Sequence, residues 1–296
     1  MADPLHAALV AADARRVAAL ALVEDGTCDV TSDAAVIATQ HGAGAIEARE
    51  SLVMAGRDYA DAVVTACGMP PIHWNVMDGD AVTAGSVLGT MTGFLMAMLR
   101  AERPLLNLLQ RSCGVATLTR RHVDAVKPHR CAVLHTRKTT PGLRLLEVLS
   151  VLAGGGGLYR MDLSHQLLIK DNHWAALAQN GRSLADALAA ARLHGVTDLY
   201  VEVESLEQLD AACAAGATRL LIDNQDPATI ETWASRARAI TPGIEIEATG
   251  GITLATVARY AATGVDFVSI GALTHSVPSA NIAVEIGGLA IPTESV

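Results

Sequence analysis

From residue 131 onward the chain repeats one unit, a short apolar run followed by a longer segment with helical periodicity. The apolar runs fall at 131–136, 165–170, 198–204, 218–223, 244–248 and 267–271. They are too short for ordinary helices and lie between turn signals, so they are predicted as buried strands. Helical patterns occupy 143–153, 183–194, 205–214, 227–239 and 253–262. Gly195, Gly216 and Gly264 lie just past three of these segments, where the backbone often turns to positive φ. Repeated βα units imply a parallel sheet with right-handed crossovers. Six such units are enough for a barrel, and the pattern alone also allows an open sheet.

The first part of the chain lacks this repeat. Residues 5–23 have helical periodicity, and a polar loop covers 24–31. Strand signals follow at 34–38, 44–47, 52–55, 72–76 and 87–91, with a helix at 58–67 and a turn at 78–82. This predicts a small antiparallel sheet with a helix, an α+β arrangement. A long helix begins near Met96 and links the two parts; Pro104 is expected to restart it and Gly114 to bend it. Arg103, near its start, reads locally as a solvated helix charge.

The net charge of −9 excludes nonspecific nucleic-acid binding as a function class. A cationic site in such a chain has to be local. The five cysteines, Cys28, Cys67, Cys113, Cys131 and Cys213, form no CxxC pair and are odd in number. They read as reduced thiols, mostly core fillers, of a cytoplasmic protein. No uninterrupted apolar stretch is long enough to span a bilayer, and the N-terminus lacks the pattern of a signal peptide.

In βα barrels the active site lies at the C-terminal ends of the strands. Those ends carry Arg137 and Lys138; Lys170, Asp171 and Asn172; Glu202 and Glu204; Asp223 and Asn224; Glu247 to Gly251; and Gly271 to His275. Each alone has a dull explanation, such as a helix cap or a surface turn. All six strand ends polar together point to a site. Arg137, Lys138, Arg160 and Lys170 suit carboxylates or phosphates. Glu202 and Asp223, on neighbouring strands, suit Mg²⁺ shared with substrate phosphates. Thr249, Gly250, Gly251 and Gly271 allow backbone N–H groups to approach a phosphate. A ligand pair that uses every part is 5-phosphoribosyl 1-pyrophosphate with an aromatic acid. Among the histidines, His173 reads as orienting its loop, His135 and His165 as structural, and His275 equally as a ligand contact or a bystander.

Several motifs resemble the quinolinate phosphoribosyltransferase family over nearly the whole chain. They are Glu24-Asp25 with Asp29-Val-Thr31, Glu102-Arg103 with Leu106-Asn107, Gly114-Val-Ala-Thr117, and Thr136-Arg-Lys-Thr-Thr-Pro-Gly-Leu-Arg144. Lys170-Asp-Asn-His173, Val201-Glu-Val-Glu-Ser205 and the run from Gly264 to Ser276 complete the set. The resemblance implies an α/β fold with an N-terminal α/β sandwich at 1–112, an incomplete TIM-like α/β barrel at 113–276, and a segment at 277–296 that packs on the N-terminal domain. It also implies a homodimer, or a higher oligomer, in which Arg103 is lent to the partner's site. Arg137, Tyr159, Arg160 and Lys170 would face quinolinate. Lys138, Glu202, Asp223, Glu247, Thr249, Gly250, Gly251, Gly271 and His275 would serve phosphoribosyl pyrophosphate and Mg²⁺. The implied reaction forms nicotinate mononucleotide, pyrophosphate and CO₂, with Lys138, Lys170, Glu202 and Asp223 in the catalytic roles.

Two positions depart from the family pattern. Leu158-Tyr159-Arg160 replaces an Asn- or Ser-His-Arg tripeptide, and Glu147-Val148 stands where Glu-Lys or Gln-Lys is usual. Both are expected to remove positive charge near the pocket. Other readings are a paralogue that uses a different pyridine or aromatic acid, an aldolase-type barrel with a Schiff-base lysine at Lys170, and a non-catalytic homologue.

Overall fold

The computed structural model describes residues 4–164 and 166–290, with side chains from Ala7 to Gly287. The predicted role of His165 therefore lies outside the described residues. The chain forms two compact units. Unit 1 holds the chain up to Arg120, residues Thr139–Gly155 and the chain from Ser276 on; unit 2 holds Arg121–Lys138 and Gly156–His275.

Unit 1 begins with α1 (Pro4–Glu24), α2 (Val30–Ala35), β1 (His41–Ala48) and β2 (Leu52–Val53). It continues with α3 (Arg57–Ala66), β3 (His73–Trp74), β4 (Ala81–Val82), β5 (Val87–Phe94) and the long helix α4 (Leu95–Val126), which passes into unit 2 at Arg121. No strand forms at 34–38: α2 runs to Ala35, and residues 36–38 bend and turn toward β1. The Asp29 carboxylate accepts hydrogen bonds from the N–H groups of Thr31 (3.1 Å) and Ser32 (3.0 Å) and so starts a helix there. α4 runs through Pro104 without a restart.

Unit 2 carries β6 (Ala132–Leu134); the chain then returns to unit 1 for α5 (Arg144–Ala153). After it come β7 (Leu167–Ile169), α6 (Asp171–Gln179), α7 (Leu184–Leu193), β8 (Leu199–Val203), α8 (Leu206–Ala215) and β9 (Arg219–Asp223). The unit closes with α9 (Pro227–Ile240), β10 (Glu245–Thr249), α10 (Val257–Ala261), β11 (Phe267–Ser269) and the short α11 (Ala272–His275). β12 (Ile282–Ala290) lies in unit 1. Gly195, Gly216 and Gly264 take φ of 78°, 81° and 79°, as their positions predicted.

The main sheet of unit 1 is antiparallel at its centre, in the order β12-β1-β5-β3, and β2 pairs separately with β4. The turn read at 78–82 thus contains a short strand. Gly114 lies within the unbroken helix α4 and permits close approach. A Cβ there would lie 2.3 Å from the Pro278 carbonyl oxygen, and Ala280 N–H donates to Gln110 O nearby. The core of unit 1 is built on Tyr59, Ile46, Met54, Leu88, Met98, Leu105, Leu109 and Leu146, all essentially sealed from water.

The six strands of unit 2 are parallel and ordered β6-β11-β10-β9-β8-β7, with helices between most of them. β6 and β7 are the edges, so the parallel sheet that the repeat predicted is the incomplete TIM-like barrel that the family resemblance implies. One face of the sheet is apolar. Val133, Leu199, Val201, Leu220, Ile222, Ile246, Ala248 and Val268 are all buried there. Each large aliphatic side chain so buried contributes about 1.5–3 kcal/mol. The other face carries the polar residues described below. Among the described residues no helix is long and apolar enough to cross a membrane.

Glu147, noted in the sequence for its unusual neighbour, is fully buried within unit 1. Its carboxylate accepts hydrogen bonds from Arg111 Nη2 (2.6 Å), Thr140 Oγ1 (2.6 Å) and Thr140 N–H (3.0 Å). Val148 is buried as well and does not line the cavity described next, contrary to the expected proximity. Glu147→Ala should lower stability by about 3 kcal/mol in urea unfolding, because it strands the Arg111 guanidinium.

Candidate active site

Strand side chains alternate between faces, and this places the site. On β9, Arg219, Leu221 and Asp223 share one face; on β10, Glu245, Glu247 and Thr249 do so; on β8, Tyr200 and Glu202. Lys170 follows Leu168 of β7 on the same alternation, and Ser269 follows Phe267 on β11. The registers align these levels. Thr249 pairs with Asp223, Glu247 with Leu221, and Tyr200 with Arg219. Arg219 and Glu245 thus stand at the base of the sheet, Leu221 and Glu247 in its middle, and Asp223 and Thr249 at its C-terminal rim.

The middle layer is a small cluster of Leu134, Tyr159, Leu168, Tyr200 and Leu221 with Phe267 packed against it. The Tyr159 and Tyr200 rings stack at 6.4 Å, and His135 meets Tyr159 edge-on at 6.2 Å. His135 is fully buried. Its Nε2 accepts the Tyr159 N–H at 3.1 Å and its Nδ1 donates to Thr136 O at 3.1 Å, a structural role as expected.

Below this layer Arg219 lies between two rings, 4.4 Å from the Tyr200 centroid and 3.9 Å from that of Phe267. Cation–π contact of this kind is strongest away from water. The guanidinium donates to Glu245 (2.8 Å) and to Glu247 (3.3 Å). Glu247 is fully buried and also accepts from Ser269 Oγ at 2.6 Å. Burial pushes its carboxyl above the usual range, and Ser269 and Arg219 oppose that rise. Burial likewise works against the Arg219 charge, but the Glu247 and Glu245 carboxylates outweigh it and raise its proton affinity.

Above the layer lies an open cavity of about 520 Å³. It is lined by the cations Arg137, Lys138, Arg160 and Lys170, by the acids Glu202, Asp223 and Glu247, and by Thr249, Gly250 and Gly251. Lys170 Nζ forms an ion pair with the Glu202 carboxylate. Burial raises the Glu202 carboxyl above its usual range, Lys170 pulls it back, and nearby Asp223 raises it again. Burial lowers the Arg160 guanidinium, whose Nε is sealed from solvent without a protein partner. Tyr159 is 8% exposed, and burial drives its phenol strongly upward, so the hydroxyl stays neutral. Lys170 sits on a carboxylate rather than in an apolar pocket, an arrangement unsuited to a Schiff-base nucleophile.

Of the candidate residues, Arg103, Gly271 and His275 do not line this cavity. Arg103 is exposed on α4 in unit 1, and His275 is exposed at the end of α11. Gly271 packs closely on Lys138 and His275; a Cβ there would lie 3.1 Å from Lys138 Cδ. Glu204 is exposed past β8, its backbone N–H bonded to Gln208 Oε1. The expected loop at 170–173 is the start of α6, where His173 Nδ1 accepts the Lys170 N–H at 3.0 Å. The cavity also contains Asn224, read at its strand end, and Thr136, Leu168, Leu221 and Ser269, which the strand-end reading left out. Alternation along the predicted strands was the available signal for Leu168, Leu221 and Ser269. Cys113 and Cys213 are buried, Cys67 and Cys131 half-buried, and Cys28 exposed, so not all the cysteines fill the core.

The model of the quinolinate phosphoribosyl transferase C-terminal domain matches residues 115–285, and that of the N-terminal domain matches residues 29–113. The chain belongs to the quinolinate phosphoribosyltransferase family. Family members with known names include the probable nicotinate-nucleotide pyrophosphorylase [carboxylating] of Bacillus subtilis, 38% identical over 90% of both chains. The nicotinate-nucleotide pyrophosphorylase [carboxylating] of Mycobacterium leprae is 38% identical over 87% of this chain and 91% of its own. Among solved family structures, the nicotinate-nucleotide pyrophosphorylase from Francisella tularensis superposes with a TM-score of 0.85 at 30% identity, covering 94% of this chain and 97% of its own.

The buried Arg219–Glu247 pair is predicted to be coupled. Arg219→Met should destabilise the protein by about 3 kcal/mol in denaturant unfolding, because it leaves Glu247 buried without its cation. Adding Glu247→Gln should recover part of that loss, visible as a non-additive double-mutant cycle.

Proposed function

We propose that this protein transfers the phosphoribosyl group of phosphoribosyl pyrophosphate to quinolinate with loss of CO₂, giving nicotinate mononucleotide and pyrophosphate for pyridine nucleotide biosynthesis. The observation that carries this reading is one cavity lined together by Arg137, Lys138, Arg160 and Lys170, by Glu202, Asp223 and Glu247, and by the Thr249–Gly251 turn, in a chain of this family. A dianionic acceptor and a phosphorylated donor use all three.

On this reading Arg137 and Arg160 bind the acceptor carboxylates in the bidentate manner of guanidinium groups. The phenol of Tyr159, held neutral, contributes a single hydrogen-bond donor to the same acid. Lys138 and the N–H groups of Gly250 and Gly251 receive phosphate. Glu202 and Asp223 balance the positive charge that develops on the ribose as pyrophosphate leaves. Lys170, paired with Glu202, lines the cavity and orients the acceptor. The quinolinate nitrogen then bonds to the sugar carbon as the bond from that carbon to pyrophosphate breaks. Its positive charge stabilises the electron pair left on the ring when the adjacent carboxylate departs as CO₂, and that ring carbon then takes a proton from water to give nicotinate mononucleotide.

Among the described residues no three His, Cys, Asp or Glu side chains gather as a metal cage. Two carboxylates on adjacent strands do face one cavity, and this fits Mg²⁺, which commonly takes one or two carboxylates and fills its shell with water and substrate phosphates. Glu202 and Asp223 would hold it, and it would neutralise the leaving pyrophosphate when bound.

Arg103, exposed and outside the cavity of its own chain, is assigned to the site of a second copy in a homodimer. Lys170→Ala and Arg103→Ala should each lower kcat by about a hundredfold or more. Mixing the two variants under conditions of subunit exchange should restore about a quarter of wild-type activity, since each mixed dimer then has one intact site. No recovery on mixing would assign Arg103 to its own chain or to none.

The deciding assay combines purified protein, Mg²⁺, phosphoribosyl pyrophosphate and quinolinate, and follows nicotinate mononucleotide. Turnover is expected and should cease when Mg²⁺ is chelated. Tyr159→Phe should raise the KM for the acid by about tenfold with little change in that for phosphoribosyl pyrophosphate. Pyrophosphate release with another pyridine acid, and none with quinolinate, would overturn the assigned acceptor.

A further inference from the structure

Asn224 stands one residue past β9 with φ of 54°, the one non-glycine residue in the left-handed region among the described residues. Asparagine enters that region more readily than most side chains. Three contacts explain what the conformation achieves here. The side-chain Nδ2 donates to Asp223 Oδ2 at 2.6 Å. The backbone N–H donates to Thr249 O at 3.0 Å. The next residue, Gly250 (φ 87°), approaches so closely that a Cβ on it would lie 2.3 Å from Asn224 Oδ1 and 2.8 Å from the Asn224 backbone nitrogen.

The β9–β10 ladder ends with Asp223 opposite Thr249. Asn224 extends that ladder by one more hydrogen bond and turns its amide back onto the last acid of β9. A plain turn residue would use the left-handed backbone and leave its side chain in solvent. Here the amide grips an acid of the cavity lining while its own backbone holds the Thr249–Gly251 turn.

We infer that Asn224 is a positioning residue that fixes the Asp223 carboxylate and the Thr249–Gly251 loop relative to each other, so that both meet a single Mg²⁺-bound pyrophosphate group. This rests on the reading of the cavity as the phosphoribosyl pyrophosphate and Mg²⁺ site. Asn224 need not touch the substrate for this role.

Two substitutions separate backbone from amide. Asn224→Gly keeps the left-handed backbone at no steric cost and removes only the amide. Asn224→Ala removes the amide and also disfavours the backbone conformation. Both are compared with wild type by thermal melting and by calorimetric titration with two probes, inorganic pyrophosphate in excess Mg²⁺ and quinolinate. Asn224→Gly should melt like wild type, bind Mg²⁺-pyrophosphate about tenfold more weakly and bind quinolinate unchanged. Asn224→Ala should show the same binding split together with a lower melting temperature. An Asn224→Gly protein that binds Mg²⁺-pyrophosphate like wild type, or loses both ligands equally, overturns the inference alone. A wild-type protein that does not bind Mg²⁺-pyrophosphate overturns both the inference and the function on which it rests.

Discussion

Glu247 is a carboxylate with no access to water, in the middle of a parallel sheet. An isolated charge cannot remain there, because the loss of hydration far exceeds what apolar packing returns. Arg219 from the base of the next strand and Ser269 from the strand on the other side supply its hydrogen bonds. The rings of Tyr200 and Phe267 enclose the guanidinium. Once this set is assembled, Glu247 stands level with Leu221 and forms part of the cavity lining, two residues before the rim residue Thr249. The cavity inherits its geometry from a compensated charge in its own lining.

The same logic distinguishes the two ion pairs of unit 2 that matter for chemistry. Arg219 and Glu247 are both buried, so each is committed to the other and to the fold. Lys170 and Glu202 meet at the rim, where Lys170 remains partly exposed. A pair at the rim can open toward a ligand that offers a better partner to each member. Arg160 lacks even that provisional partner at its Nε, and its guanidinium is partly desolvated.

Much of this was legible from residue types and spacing. Six short apolar runs with helical segments between them specified a parallel sheet, and the polar residues at their ends named Arg137, Lys138, Lys170, Glu202 and Asp223 as candidates. What escaped was local or lateral. The strand expected at 34–38 is missing because Asp29 caps the N–H groups of Thr31 and Ser32 and starts a helix that runs to Ala35. The start of α6 was hidden because Lys170-Asp-Asn-His173 reads as charged loop, although His173 caps the helix with its ring nitrogen. Asn224 resembled any polar residue after a strand; its importance lies in a backbone angle and in the proximity of Gly250.

The sequence by itself determined the alternation of strands and helices, the face of each strand that would be polar, and the family to which the chain belongs. These follow from short-range periodicity, which requires no knowledge of which strand lies beside which. Only the tertiary structure decided that Arg219 would reach Glu247 and Glu245 across β9 and β10, that Tyr159 would stack on Tyr200, and that Asp223 and Thr249 would end their strands at the same level. Such contacts join residues far apart in the chain. Their existence depends on strand order and register, which are set by the packing of the whole sheet and not by any one segment of it.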